Sequence, residues 1–378
     1  MSKTIYIGTY ATKNSQRQRS PAAQTLMEYV AEVIGDSCEK LTIFSTAQHR
    51  DIRIKNVTIE HINENIEVVF AQSFKIYKKN LVMRAIQKIR RTRSFYKDLL
   101  KLVEDGDTVI LYHTPALMKC MKKIRKKKKI NFILQVCEIY ADVSGSRYQR
   151  KREIEHIKSA DAYIFSSSLL EQKLNSENKK FTICCGTYKL ENQLNTPNDD
   201  GKIHVLYAGT FDPTKGGVYS AVQCAEYLDD RYHLHILGFG SEQQKKAVKD
   251  LVKEVGSKTK CGVSYDGCIL GEDYIKFLQS CHIGLSTQNP AGDYNATSFP
   301  SKILSYLSNG LRVVSIKIPA VETSPVSDAI AYYGESHPEN IANAIKAIDI
   351  NDSFMSRNLI KQLDSQFRME IIETIQMG

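Results

Sequence analysis

The chain has 378 residues, a length that calls for two domains, and its 42% hydrophobic and 25% charged residues exclude a disordered or low-complexity polymer. No apolar run approaches the ~20 residues of a membrane-spanning helix, and the opening run Thr4–Gly8 is too short for a signal-peptide core, so a soluble, unexported protein is expected. The nine cysteines form no C-x-x-C pair, which argues for reduced, buried thiols rather than a disulfide scaffold. The net charge of +10 is concentrated: between Lys75 and Lys129, 18 Lys and Arg stand against four acids, which favours an anionic partner.

Apolar runs of strand length alternate with helical patterns, the signature of parallel βαβ units. In the first half the expected strands are Thr4–Gly8, Lys40–Phe44, Glu67–Phe70, Thr108–Tyr112, Asn131–Val136 and Ala162–Phe165. Helical spacing covers Pro21–Ile34, Leu81–Val103, Pro115–Lys127 and Tyr148–Lys158. In the helix at Leu81–Val103, Val82, Ile86, Ile89, Tyr96 and Leu100 share one broad face, and Arg84, Lys88 and Arg91 point roughly opposite. The polar stretch Glu191–Gly201 reads as a linker.

The second half restarts with a strand at Ile203–Ala208, followed by a helix that places Val218, Ala221, Val222, Ala225 and Leu228 on one face. Further strands fall at His233–Leu237, Val263–Tyr265, His282–Ser286 and Arg312–Ile316. The expected class is α/β, two facing Rossmann-like doubly wound domains with a cleft between them. Residues 1–192 form the first domain and 201–353 the second, with a C-terminal helix over 354–378 packing back on the first. In such sheets ligands bind outside the carboxyl ends of the strands.

Three local signals suit a diphosphate. The run Thr297–Gly310 reads as a helix in which Thr297 or Ser298 caps, Pro300 occupies the first turn, and Gly310 terminates in the left-handed region. Backbone N–H groups near Ser298, Phe299, Pro300, Ser301 and Lys302, a positive helix end and one lysine would then converge, although a well-capped helix with a solvated lysine fits equally. The run Ala208–Gly217 is a strand-to-helix turn with glycines for close approach and Lys215 as a point charge. It has neither the Walker order nor the dinucleotide fingerprint. The third signal, Gly238-Phe-Gly240, lets a ligand lie against the main chain.

The order of these pieces resembles bacterial glycosyltransferases of family four, formerly group 1, of capsular and exopolysaccharide assembly. The resemblance rests on Tyr207-Ala-Gly-Thr with Lys215-Gly, Ile236-Leu-Gly-Phe-Gly240, Tyr265-Asp-Gly267, Cys281-His-Ile-Gly-Leu-Ser286 and Ser298-Phe-Pro-Ser-Lys-Ile-Leu-Ser-Tyr-Leu. It implies a GT-B fold, a UDP- or GDP-sugar donor on the C-terminal domain, no obligatory metal, and retention at the anomeric carbon. It implies that Lys215 and the stretch Ser298 to Lys302 hold the diphosphate, that Gly8, Gly209, Thr210, Gly238 and Phe239 line the donor, and that His113 contacts a sugar.

Two departures stand out. The family's paired glutamates fall on Thr297 and Ser305, and its arginine after the first C-terminal strand falls on Thr210. Asp293 and Asn295, in the preceding loop, are candidates to contact the sugar instead. The basic face formed by Arg84, Lys88 and Arg91, with Lys126, Lys127 and Lys128 of the lysine run, reads as a dock for an anionic cytoplasmic leaflet and a lipid-linked glycan acceptor, or as a solvated helix back. The chain is then expected to be cytoplasmic and peripheral to the inner leaflet. No metal site is expected: His233 and His235 share a strand face, but no third ligand lies at a familiar spacing. The alternatives are a sugar-nucleotide 2-epimerase of similar fold, a non-catalytic GT-B-like binder, and a nucleic-acid reader, which lacks a recognition module.

Overall fold

The computed structural model describes every residue except 1, 13–14, 19, 50–52, 55, 75–80, 145, 214–216, 291–296 and 377–378. The chain divides into two compact units, Met1–Thr187 with Gln366–Gly378, and Tyr188–Ser365.

In the first unit the strands are β1 (Thr4–Gly8), β2 (Leu41–Ser45), β3 (Thr58–His61), β4 (Ile66–Phe70), β5 (Thr108–Tyr112), β6 (Asn131–Val136), β7 (Ala162–Phe165) and β8 (Phe181–Ile183). They order as β3-β4-β2-β1-β5-β6-β7-β8, parallel throughout except for β3 against β4. The central strands are apolar from end to end because helices cover both faces of a parallel sheet, and β1, β2 and β5 are buried at every position. The helices are α1 (Pro21–Ser37), α2 (Leu81–Leu102), α3 (Pro115–Ile124), α4 (Tyr140–Ser144), α5 (Arg147–Ile157) and α6 (Ser168–Leu174). Pro21 and Pro115 each open a helix, where their fixed φ and missing N–H cost nothing.

The second unit carries β9 (Ile203–Thr210), β10 (Tyr232–Phe239), β11 (Gly262–Gly267), β12 (Ile283–Ser286), β13 (Arg312–Ile316) and β14 (Ile330–Tyr333) in the parallel order β11-β10-β9-β12-β13-β14. Its helices are α7 (Gly217–Gln223), α8 (Glu242–Gly256), α9 (Glu272–Gln279), α10 (Lys302–Ser308), α11 (Pro319–Glu322) and α12 (Pro338–Lys346). The linker stretch has no regular element and is pinned within this unit, where Gln279 Oε1 accepts from Leu194 N–H at 2.7 Å and Asn195 N–H at 2.9 Å. The last helix, α13 (Ser356–Ile375), begins in the second unit and ends in the first. There Phe367 stacks on Tyr29 at 5.7 Å and Glu370 accepts from Thr182 at 2.7 Å.

Two expectations are corrected. The helix of the Thr297–Gly310 run starts at Lys302 with Ser301 at the N-cap, so neither Thr297 nor Ser298 caps it and Pro300 precedes the first turn. Its other end forms as expected: Gly310 has φ +89°, and the N–H groups of Gly310 and Leu311 bond to Leu307 O and Tyr306 O, the Schellman pattern. In α2 the inner face is carried by Phe95 and Leu99, while Val82, Ile86 and Ile89 are exposed. Arg91, expected on the outer face, is half-buried, and desolvation lowers its pKa. The apolar residues satisfy helical spacing on more than one face, and packing selects the one sequence spacing does not favour.

Candidate functional site

In a doubly wound sheet, ligands bind at the carboxyl ends of the strands where neighbouring connections depart in opposite directions. In the second sheet this switch point lies between β9 and β12, because β10 follows on one side and β13 on the other. β9 ends in Gly209 and Thr210, and β12 in the buried Ser286 with buried Thr287 after it.

Lys302 lies at this end of β9. A Cβ built on Gly209 would stand 2.9 Å from Lys302 Nζ and 3.1 Å from the Tyr207 hydroxyl oxygen. The ammonium also sits 4.1 Å from the Tyr207 ring centroid, a cation–π contact. The base of α10 is fixed by Tyr306, one turn after Lys302. Its hydroxyl accepts the Ala208 N–H at 2.9 Å, and its ring occupies the space a Cβ on Gly284 would enter at 2.4 Å. Glycine at 284 thus lets α10 press onto β12, and α10 in turn carries the lysine to β9. The end of β12 is tied to α7 by Thr287 Oγ1, which donates to Gly217 O at 2.6 Å.

Gly238 has a packing role: a Cβ there would fall 2.0 Å from Gly209 O and 2.7 Å from the Phe211 ring. It lets β10 run beside β9 to their shared end, where Phe211 N–H donates to Phe239 O at 2.9 Å. Phe239 is 46% exposed there.

In the first sheet the switch point lies between β1 and β5. Gly8 ends β1 because a Cβ would press within 2.5 Å of Met27 Sδ. His113 follows β5 and is 1% exposed, with Nε2 3.6 Å from Glu153 Oε1 and its ring tilted against Tyr140 at 5.4 Å. Neither ring nitrogen makes a hydrogen bond. Burial lowers its pKa to about 4, so it is neutral at pH 7. Glu153 accepts the N–H groups of Tyr140 and Ala141, both at 2.9 Å, and its own pKa is raised by desolvation.

No protein-family model matches the chain, and no curated protein matches it by sequence. Solved structures do match over its whole length. A trehalose-6-phosphate protein from E. coli bound with UDP-2-fluoro glucose superposes with a TM-score of 0.72 at 9% identity, over 100% of this chain and 99% of that one. Sucrose-phosphate synthase from Thermosynechococcus elongatus gives 0.67 at 13% identity, over 99% and 95%. A UDP-forming α,α-trehalose-phosphate synthase from Burkholderia xenovorans, in complex with glucose-6-phosphate, gives 0.67 at 8% identity, over 98% and 97%. The fold is GT-B. At these identities the likeness shows architecture and nothing finer.

On this GT-B frame the sequence candidates fall into three groups. Gly209, Thr210, Gly238, Phe239 and Lys302 come from three elements that meet at the ends of β9 and β10. Thr297 and Phe299 are buried before α10, Ser298, Pro300 and Ser305 are half-buried, and Ser301 is exposed. Gly8 and His113 belong to the other sheet, and Arg84, Lys88, Arg91, Lys126, Lys127 and Lys128 to the basic region of the first unit. Lys215, Asp293 and Asn295 lie outside the described residues. Sequence reasoning missed Tyr306 and Thr287 as positioning residues. Tyr306 carries a readable signal, since a tyrosine four residues after the candidate lysine would share its helix face.

Proposed function

We propose that this chain transfers a sugar from a nucleoside diphosphate sugar, with UDP the first base to test and GDP the second, retaining configuration and using no obligatory metal in the transfer. The observation that carries the reading is the Lys302 ammonium packed on Gly209 and Tyr207 at the switch point of the second sheet. A cation held there, beside backbone that only glycine leaves open, suits the diphosphate of a donor and stabilises the charge that develops on it as it leaves. Lys215, between β9 and α7 in the sequence, would add a second cation. Phe239 would cover the nucleoside, and Asp293, Asn295, Thr297 and Ser305 would face the sugar where the resembled family uses glutamates. His113, buried and neutral, would accept or donate to a sugar hydroxyl. The UDP-sugar bound to the E. coli neighbour supports the donor class.

For the acceptor, we favour a lipid-linked glycan met at an anionic cytoplasmic membrane surface, as in surface-polysaccharide assembly. The support is α2, whose Leu81, Val82 and Ile89 are 75%, 68% and 52% exposed beside exposed Arg84, Lys88, Arg90 and Arg93. An apolar face edged with cations fits an acidic lipid surface. The lysine run joins this patch, with Lys123 and Lys127 Nζ at 5.7 and 5.9 Å from the Tyr96 ring. No described helix is long and apolar enough to cross a membrane. A soluble sugar phosphate is the second reading, favoured by the glucose-6-phosphate complex of the Burkholderia neighbour.

A thermal-shift panel of UDP, GDP, CMP, TDP and ADP with their sugar conjugates tests the donor site. A diphosphate at a hundred times its Kd should stabilise the native state by ~2.7 kcal/mol, and Lys302→Ala should cut this to between about 0.4 and 1.4 kcal/mol at the same concentration. No rise with any nucleotide favours a non-catalytic GT-B-like binder. Vesicle flotation separates the acceptors: binding that needs acidic lipid, weakens with salt and loses about 2 kcal/mol in an Arg84→Gln, Lys88→Gln double variant supports the membrane reading. Transfer to glucose-6-phosphate in the absence of lipid supports the second.

A further inference from the structure

The second unit carries a polar stripe at the opposite end of its strands from Gly209. His233 and His235 alternate along β10 and so share a face, and His204 of β9 stands in register with His233. The rings stack: 4.2 Å between His233 and His235, 5.6 Å between His204 and His233, and 5.1 Å between His204 and His235. One nitrogen from each lies within 4.8 Å of the others. His204 and His235 are buried and His233 is half-buried.

The neighbours of these rings are carboxylates. Asp200 Oδ1 lies 3.0 Å from His204 Nε2, and Asp266 Oδ2 lies 3.2 Å from His235 Nδ1 and accepts from Ser264 Oγ at 2.9 Å. An ionised carboxylate only accepts, so the outer nitrogens of the two rings donate outward. The inner pair, His204 Nδ1 and His235 Nε2, stand 2.8 Å apart, with Asn198 Nδ2 3.4 Å from His204 Nδ1 and Ser264 Oγ 3.1 Å from His233 Nε2. Three imidazoles brought this close together make a donor set for a cation.

We propose that His204, His233 and His235 form a site for a divalent transition metal of the zinc class, with Asp200 and Asp266 as the carboxylates that orient the ligand rings. Three imidazoles are a recurrent donor set for such ions, and carboxylates on the far ring nitrogens fix the tautomer and raise ligand basicity. Four-coordinate bonds of ~2.05 Å place ligand nitrogens about 3.3 Å apart, a spacing inside the range from 2.8 to 4.8 Å seen among these atoms. Two carboxylates balance the charge of the ion. The ion would clamp β9 to β10 where the strands begin, about 15 Å along β9 from Gly209. It would stabilise the second unit without entering the chemistry at Lys302.

The experiment uses the full chain without an affinity tag, stripped with chelator and titrated with Zn2+ and with Co2+. The expected result is one equivalent of Zn2+ retained through gel filtration, a four-coordinate Co2+ absorption band in the visible, and a rise in Tm. His233→Gln and His204→Gln should each remove the band, Asp266→Asn should weaken binding about 10- to 100-fold, and the exposed His337→Gln should change nothing. Circular dichroism of each variant, and the half-buried position of His233, guard against reading misfolding as loss of a ligand. No retained metal in the wild type, or retention unchanged in folded His233→Gln and His204→Gln, would overturn the proposal and leave a proton as the cation between the rings.

Discussion

The two sheets end their switch points in opposite ways. At the first, the strands close over Gly8 and His113: a sulfur fills the glycine's free side, the imidazole is buried and neutral, and its partner carboxylate is spent on backbone N–H groups. At the second, Gly209 lets an ammonium close onto the backbone, Gly238 lets β10 press on β9, and the Phe239 ring is exposed at the same strand ends. Similar topology thus yields one end closed around a neutral imidazole and one that presents an ammonium beside the backbone. The chemistry follows from what α10 and the β10 end bring in, because strand order alone is common to both.

The largest test of this contrast is Gly238→Ala. Its Cβ would meet Gly209 O at 2.0 Å, and neither strand can move without disturbing the sheet, so the second unit should lose about 3 kcal/mol in urea unfolding. A cost near zero would mean that the ends of β9 and β10 are looser than described. Next is acid. His113 has a folded pKa of about 4, below its ordinary 6.5, so between these values the unfolded chain binds a proton that the folded chain refuses. Stability should therefore fall as pH drops from 6.5 to 4, by at most on the order of 3 kcal/mol, and His113→Gln should flatten that slope. An unchanged slope would place the acid sensitivity elsewhere.

Removing the cation is a smaller perturbation. Lys302→Ala deletes a charge-assisted contact of about 1.5–3 kcal/mol, so UDP affinity should drop about 10- to 100-fold while Tm without ligand barely moves. Equal affinity would detach Lys302 from the anion. Smallest is Tyr306→Phe, which leaves the Ala208 N–H unpartnered at the cost of about 1 kcal/mol and should blunt UDP binding indirectly by loosening α10.

Much of this frame is legible in the sequence where burial is complete. β1, β5, β6, β7 and β13 match their apolar runs to the residue, because strands covered on both faces admit little else. β3 escapes because it is an exposed antiparallel edge, and β8 because it is three residues long. The candidate residues of the second sheet were readable as glycines and a lysine, but their meeting was not: cross-strand register and the pressure of Tyr306 on Gly284 have no sequence period. The same blindness hid His204, which completes the histidine cluster from a neighbouring strand. The start of α10 was misread because Pro300 suits a turn before a helix as well as its first residue.

The most direct test of the central claim is amide hydrogen exchange of the full chain with and without UDP. The account predicts protection confined to the ends of β9 and β10 and the approach to α10, near Gly209, Thr210, Phe239 and Lys302, and lost in Lys302→Ala. Protection absent there, or centred on another part of the chain, would contradict it.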